Sequence, residues 1–329
     1  MTGSQKEGSV PAGVKLISTP AVAAAWCARE RAAGKTIGLI PTMGALHEGH
    51  LHLVRRAVAE NDHAIVSVFV NPLQFDDPSD LVYYPRDLNA DVQLVDGAGC
   101  SMVFTGTLAG FFPEAVDEGA ASGAELIKRI SLLDPGPVAL GLEGACRSGH
   151  FEGVATIVKR LFQIAQPTRA YFGAKDYQQT AVVRGLVPAG SDPEVVVCAT
   201  QREASGLASS SRNQRLSVSE LELATALSRG LFAARAAWHN GERDPDALAA
   251  AVDNALQGEG IDVEYAEVRD PDRWTEQRPA ALSTRARALV AARIGPVRLL
   301  DNMALDEMSV RAEEGDAAWD LFRSRCVTR

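Results

Sequence analysis

Residues 64–70, Ala64-Ile65-Val66-Ser67-Val68-Phe69-Val70, form an apolar run rich in β-branched residues and broken only by Ser67. A strand without a polar face must be covered on both sides. Parallel sheets provide that cover through their crossover helices. The surrounding sequence keeps to the same plan. Residues 36–40, 101–104, 169–172 and 194–198 read as further short strands. Between them Leu51, Val54 and Val58 fall on one helical face, as do Val154, Ile157, Val158, Leu161 and Ile164. Another helix is expected after Asp176. Strand–helix alternation of this kind predicts an α/β chain with a parallel sheet covered on both faces. Ligands of such sheets bind at the carboxyl ends of strands. The residues after Ile40, Val70, Phe172 and Cys198 are therefore the places to look.

After Asn213 the pattern changes to α+β. An Ala- and Leu-rich helix is expected over 217–240, capped by Ser217 or Ser219, and a second over 244–256. Strands are expected at 263–268, 288–292 and 297–300. The division falls near residue 200: a flexible tail over 1–13, a nucleotide-suited domain over 14–200 and a smaller domain over 201–329. Residues 113–123 and 188–193 read as loops, and the stretch after Asn302 as mostly helical.

Lys plus Arg total 33 against 42 Asp plus Glu, a net charge of −9, which disfavours nucleic acid as a partner. Apolar runs stay well short of the ~18 residues that span a bilayer. The polar N-terminus lacks the apolar core of a signal peptide, so a cytoplasmic location is expected. Cys27, Cys100, Cys146, Cys198 and Cys326 are scattered, with no paired spacing for zinc or a disulfide framework.

Several nucleotide and metal signatures fail. Gly34-Lys35-Thr36 precedes a strand and lacks the upstream glycine of a phosphate loop, and His47-Glu48-Gly49-His50 spaces its histidines three apart, not four. What remains is Pro41 to His50, between the first strand and its helix. Small residues there let the backbone approach a ligand, and the helix N-terminus offers free amides to a phosphate. Two imidazoles at that point can donate to phosphate as charge builds in a transition state. Gly173-Ala174-Lys175-Asp176 supplies a point cation at a second strand end. Ser209-Ser210-Ser211-Arg212 supplies hydroxyls and a guanidinium at a third. Gln74 and Gln179 offer neutral amides suited to a small hydroxy-acid beside a charged nucleotide. Arg147 to Phe151 precedes a helix and could also take an anion.

The segments PTMGALHEGH (41–50), FVNPLQF (69–75), YPRDL (84–88), RSGHFEGV (147–154), FGAKDYQQ (172–179) and SSRN (210–213) resemble the pantothenate synthetase, or pantoate–β-alanine ligase, family. The resemblance runs from about Lys35 to Asn302. It implies a Rossmann-like parallel sheet with helices on both faces and a smaller α+β lid domain. It implies ATP with Mg2+, a homodimer, and condensation of pantoate with β-alanine through a pantoyl-adenylate. Carried onto this chain, it implies His50, His47 and Lys175 as catalytic, with His50 the proton donor. It places ATP against Met43, Gly44, Ala45, Leu46, His47, Glu48, Gly49 and His50, against Gly173, Ala174, Lys175 and Asp176, and against Ser209, Ser210, Ser211 and Arg212. Gln74 and Gln179 would hold pantoate, Gln74 also bordering β-alanine, and the sequence does not identify the metal ligands. Ser209 departs from the family's usual Met or Leu, and Ala174 from its Glu.

Overall fold

The structure, a computed structural model, describes residues 13–116 and 123–307. The expected flexible tail, part of the 113–123 loop and the part beyond residue 307 of the stretch expected to be helical lie outside them; the described start of that stretch, Met303 and Ala304, is strand and not helix.

Six strands form the larger sheet: β1 (Lys15–Ile17), β2 (Ile37–Thr42), β3 (His63–Val68), β4 (Met102–Phe104), β5 (Arg169–Gly173) and β6 (Glu194–Cys198). Their order is β1-β4-β3-β2-β5-β6, and every neighbouring pair is parallel. The side-chain alternation splits each strand between two apolar layers. Ile37, Leu39 and Ile65 face one layer with Trp26, Val154, Ile157 and Leu161, from the helices Pro20–Ala32 and His150–Ala165. Ile40, Val66 and Tyr171 face the other, under Leu51, Val54 and Ala57 of the helix Glu48–Glu60. Full burial of side chains such as Ile37, Leu39 and Ile65 stabilises by about 1.5–3 kcal/mol each.

The smaller sheet has the antiparallel order β7 (Ile261–Arg269), β8 (Arg287–Ile294), β9 (Val297–Ala304). Leu227, Leu231, Leu248 and Val252 of the helices Val218–His239 and Pro245–Asn254 pack on it. Ser217 caps the longer helix in a reciprocal box with Glu220, which is why the helix begins there and not at Ser219. A buried cluster ties the two units together. Both carboxylate oxygens of Glu143 accept from Arg298 on β9, each at 2.8 Å, and Tyr265 of β7 donates to Glu143 at 2.7 Å.

Two features differ from the sequence reading. Strand β1 and the helix Pro20–Ala32 were not anticipated: β1 is three residues long and pairs with β4, 87 positions away at Lys15↔Met102 (102 − 15). Strand β3 stops at Val68, so Phe69 and Val70 lead the chain off the sheet toward Asn71.

Candidate active site

From β2 the chain winds to β3 and β4 on one side and later to β5 and β6 on the other, so the order reverses between β2 and β5. A cleft must open at the carboxyl ends there. It is lined by Met43 after β2, Asn71 and Gln74 after β3, Gly173, Lys175 and Asp176 after β5, and Ala199 to Gln201 after β6. The structure thus brings together Met43, His47, Gly49, His50, Gln74, Gly173, Lys175, Asp176, Gln179, Ser209, Ser210, Ser211 and Arg212. Gly44, Ala45, Leu46, Glu48 and Ala174 lie off the lining. Glu48 is exposed and paired with Arg55, and Leu46 is in the core. Ala174 faces a neighbouring cavity.

The two histidines cap their own helix. His47 Nδ1 accepts from the Gly49 amide at 3.2 Å, and His50 Nδ1 accepts from the His47 amide at 3.3 Å. With both Nδ1 atoms used as acceptors, each neutral ring carries its proton on Nε2. The rings lie 4.1 Å apart. Burial, then Lys175, pushes His47 down to about 4. Burial, then His47, pushes His50 down to about 3. In the free protein at neutral pH both are therefore Nε2–H hydrogen-bond donors and not imidazolium acids.

The bend before them is held from a distance. Gly44 and Ala45 adopt φ of +83° and +51°. Asp91 accepts from the amides of Ala45 at 3.1 Å and Leu46 at 2.7 Å, which compensates that conformation. Burial raises the Asp91 pKa against the effect of those two amides.

Gln74 sits on a short turn, Pro72–Gln74, whose N-cap Asn71 is buried. Asn71 donates to Gln74 Oε1 at 2.9 Å and to the Gly153 carbonyl at 3.2 Å. The Gln74 amide donates to Met43 Sδ at 3.1 Å. Helix His150–Ala165 approaches this turn so closely that a Cβ on Gly153 would lie 2.6 Å from Gln74 N and nearer still to the Leu73 carbonyl. His150 donates from Nδ1 to the Gln74 carbonyl at 2.8 Å, and its Nε2 accepts from Arg147 at 3.1 Å. His150 thus holds Gln74 and Arg147 in place. Its pKa is pushed down to about 4 by burial and then by Arg147. Gln179 faces the cleft, whereas the adjacent Gln178 is buried and bridges Val138, Leu140, Gly141 and Glu143.

On the opposite wall Lys175 reaches 3.7 Å from Asp176. Ser210 caps a short turn by accepting from the Arg212 amide at 3.3 Å. Arg212 donates to Asp80 at 2.9 Å, and Arg215 shares the same carboxylate at 3.1 Å. Burial works against the Asp80 carboxylate, but the two guanidiniums outweigh it and hold its pKa below the usual value. Asn71, Asp91, Asp80 and Gly153 were missed by sequence reasoning. Only Asn71 had a local signal, the Asn-Pro pair that opens a turn.

The arrangement sets a wall of N–H and cationic groups against a floor of neutral amides. The sequence matches the family model described as Pantoate-beta-alanine ligase over residues 15–304. It is 46% identical over 272 residues to a pantothenate synthetase of Gluconobacter oxydans, covering 82% of this chain and 94% of that protein. It is 41% identical over 296 residues to one of Nocardia farcinica, covering 90% and 87%. The fold is similar to a crystal structure of pantothenate synthetase from Thermus thermophilus, with TM-score 0.78, 40% identity, and coverage of 89% of this chain and 100% of that one. A pantoate–β-alanine ligase from Francisella tularensis, complexed with β,γ-ATP and β-alanine, matches with TM-score 0.69 and 30% identity over 90% of this chain and 99% of that one.

Proposed function

The chain belongs to the pantoate–β-alanine ligase family, and on that premise we propose that it condenses pantoate with β-alanine at the expense of ATP. It is a carbon–nitrogen ligase of pantothenate biosynthesis. The observation that carries the residue assignment is the meeting, in one cleft, of two Nε2–H imidazoles, Lys175 and the Ser210–Arg212 loop with the amides of Gln74 and Gln179.

Two displacements fit this layout. The pantoate carboxylate, held by Gln74 and Gln179, attacks the α-phosphorus, the bond to the bridging oxygen breaks, and pyrophosphate leaves. His47 and His50 donate to the α-phosphate oxygens as charge builds, and Lys175 and Arg212 neutralise the departing phosphates. Donors fixed by their own helix cap need no reorganisation during the reaction. The uncharged β-alanine amine then attacks the acyl carbon, AMP leaves, and the amine loses a proton. A compartment beside the cleft, lined by Gln74, Arg147 and His150, suits the amine substrate, with Arg147 facing its carboxylate.

Magnesium would come bound to the nucleotide and would offset phosphate charge there. Among the described residues no group of three His, Cys, Asp or Glu side chains forms a metal site. The residues present fit a metal carried on the phosphates, with Lys175 and Arg212 supplying the remaining charge. A homodimer, a cytoplasmic location and a lid role for the unit after residue 200 belong to the same proposal. Among the described residues no helix is long and apolar enough to cross a membrane.

The test is isotope exchange. With Mg-ATP, pantoate and labelled pyrophosphate, but no β-alanine, label should enter ATP, and omitting pantoate should stop it. β-Alanine should then yield AMP and pantothenate in equal amounts. Absence of pantoate-dependent exchange would refute the proposal.

A further inference from the structure

We propose that Asn302, on the second sheet, is a positioning residue for Lys175. The inference rests on the reading above that Lys175 faces the nucleotide's phosphates.

Lys175 follows β5 on the tight turn Ala174–Asp176. That turn receives an unusual pair of hydrogen bonds from another part of the chain. Asn302, buried near the end of β9, donates from Nδ2 to the carbonyl of Ala174 at 2.9 Å and to that of Lys175 at 2.6 Å. An amide NH2 has two hydrogens, and both are spent on the backbone around Lys175. The orientation of the amide is fixed as well. Its Oδ1 accepts from Arg287 Nη1 at 2.6 Å, so a flipped amide would set oxygen against two carbonyls and NH2 against a guanidinium.

The holder is itself held. The Asn302 backbone N–H donates to the Asp301 carboxylate at 2.7 Å, and Arg202 grips Asp301 through two bonds of 2.6 and 3.0 Å. Arg287 lies 3.9 Å from the ring centre of Tyr177, the residue that begins the helix after the turn. The second sheet therefore fixes the lysine turn at two points, its carbonyls and its following aromatic ring.

Lys175 needs such a holder. Its ammonium is a point charge on a four-carbon stem and reaches Asp176 at 3.7 Å. Its placement over a departing phosphate then depends on where the backbone starts. A displacement of ~1 Å there is enough to cost about 10²-fold in rate. The second sheet thus acts on the chemistry through backbone carbonyls, without a side chain of its own on the phosphates.

The experiment compares pantoate-dependent pyrophosphate–ATP exchange in the wild-type chain, Lys175→Ala, Asn302→Ala, Asn302→Asp and the double variant Lys175→Ala/Asn302→Ala. Asn302→Ala should lose about 10- to 100-fold in kcat, with the pantoate KM held within about threefold, a split that general loss of structure does not produce. Asn302→Asp keeps the shape and the acceptor for Arg287 but turns an oxygen on the two carbonyls. It should be at least as slow. In the Lys175→Ala background, Asn302→Ala should add less than about threefold, because the group it positions is gone. Full multiplication of the two effects, or a wild-type rate in Asn302→Ala, would overturn the proposal. If Asn302→Ala does not fold, Arg287→Gln takes its place: it frees the amide's orientation without removing it. A three- to tenfold loss that disappears in the Lys175→Ala background supports the role, and an unchanged rate overturns it. A wild-type chain without exchange, or a fully active Lys175→Ala, instead sinks the reading on which the proposal rests.

Discussion

Gly153→Ala adds one methyl group, and its consequence can be worked from the packing. The new Cβ would stand 2.6 Å from Gln74 N and closer to the Leu73 carbonyl, where real Cβ atoms essentially never approach below 3.0 Å. Those neighbours are backbone, so no rotamer change relieves the overlap. The turn Pro72–Gln74 must back away from the helix, and the Asn71 bond to the Gly153 carbonyl stretches with it. Overpacking of this kind costs about 1–3 kcal/mol. Replacing a helical glycine by alanine returns up to ~1 kcal/mol of propensity. The net loss of stability is therefore about 0–3 kcal/mol, and the protein should fold. Function should suffer more. A shift of ~1 Å in the groups that hold a substrate costs about 10²-fold, so kcat/KM for pantoate in the exchange assay should fall by about that factor. Gly97→Ala is the control, since a Cβ there meets nothing within 4 Å. Its rate should match wild type. A folded Gly153→Ala protein with wild-type pantoate kinetics would refute the close-approach argument and with it the placement of Gln74.

Asp80→Asn removes the carboxylate that holds Arg212. Partly exposed pairs are worth about 0.2–1 kcal/mol, so the ATP KM should drop by up to about fivefold; an unchanged or higher KM would show that Asp80 does not compete with the nucleotide. The buried histidines set an acid limit. Burial first, then neighbouring charge, holds His47 and His150 at about 4 and His50 at about 3, against ~6.5 in an unfolded chain. Between these values the unfolded state binds protons that the native state does not, so stability should fall as pH drops from ~6.5 toward ~4. Urea midpoints at pH 5 and 7 measure it, and His50→Gln should narrow the gap between them. An equal gap in both proteins would contradict the assigned environment.

The cleft was legible because its position follows from chain order. A strand, a small-residue turn and a helix put His47 and His50 at a carboxyl edge whatever the rest of the chain does. The same logic located Lys175 at the end of β5. What supports these residues was not legible. Asp91 acts on the bend at Gly44 to Leu46 from 45 positions away (91 − 46), and Asn302 acts on Lys175 from 127. Each is an ordinary polar residue in its own neighbourhood, and only the tertiary fold reveals its partner. Gln178 and Gln179 show a second limit. Adjacent identical side chains differ only in helical phase, and that phase is set by packing. His150 shows a third, for nothing in the motif around it signals that both ring nitrogens hold Gln74 and Arg147.

The Glu143–Arg298 tie has a consequence for how such a chain can change over generations. The pair is nearly enclosed and joins the helix Leu142–Cys146 to the second sheet. Losing Arg298 strands the Glu143 carboxylate out of water, at a cost of about 3–5 kcal/mol, a large share of the margin of an ordinary protein, whereas losing Glu143 leaves Arg298 its bond to Glu264 at 2.7 Å. Exchanging both for apolar residues of similar volume can be neutral, but a route that loses Arg298 first passes through a crippled intermediate. Tyr265 deepens the trap, because its hydroxyl donates to the same carboxylate. Positions 143, 265 and 298 should therefore be inherited as a block, and directed evolution that samples single substitutions should leave all three untouched while libraries randomising them together recover apolar solutions.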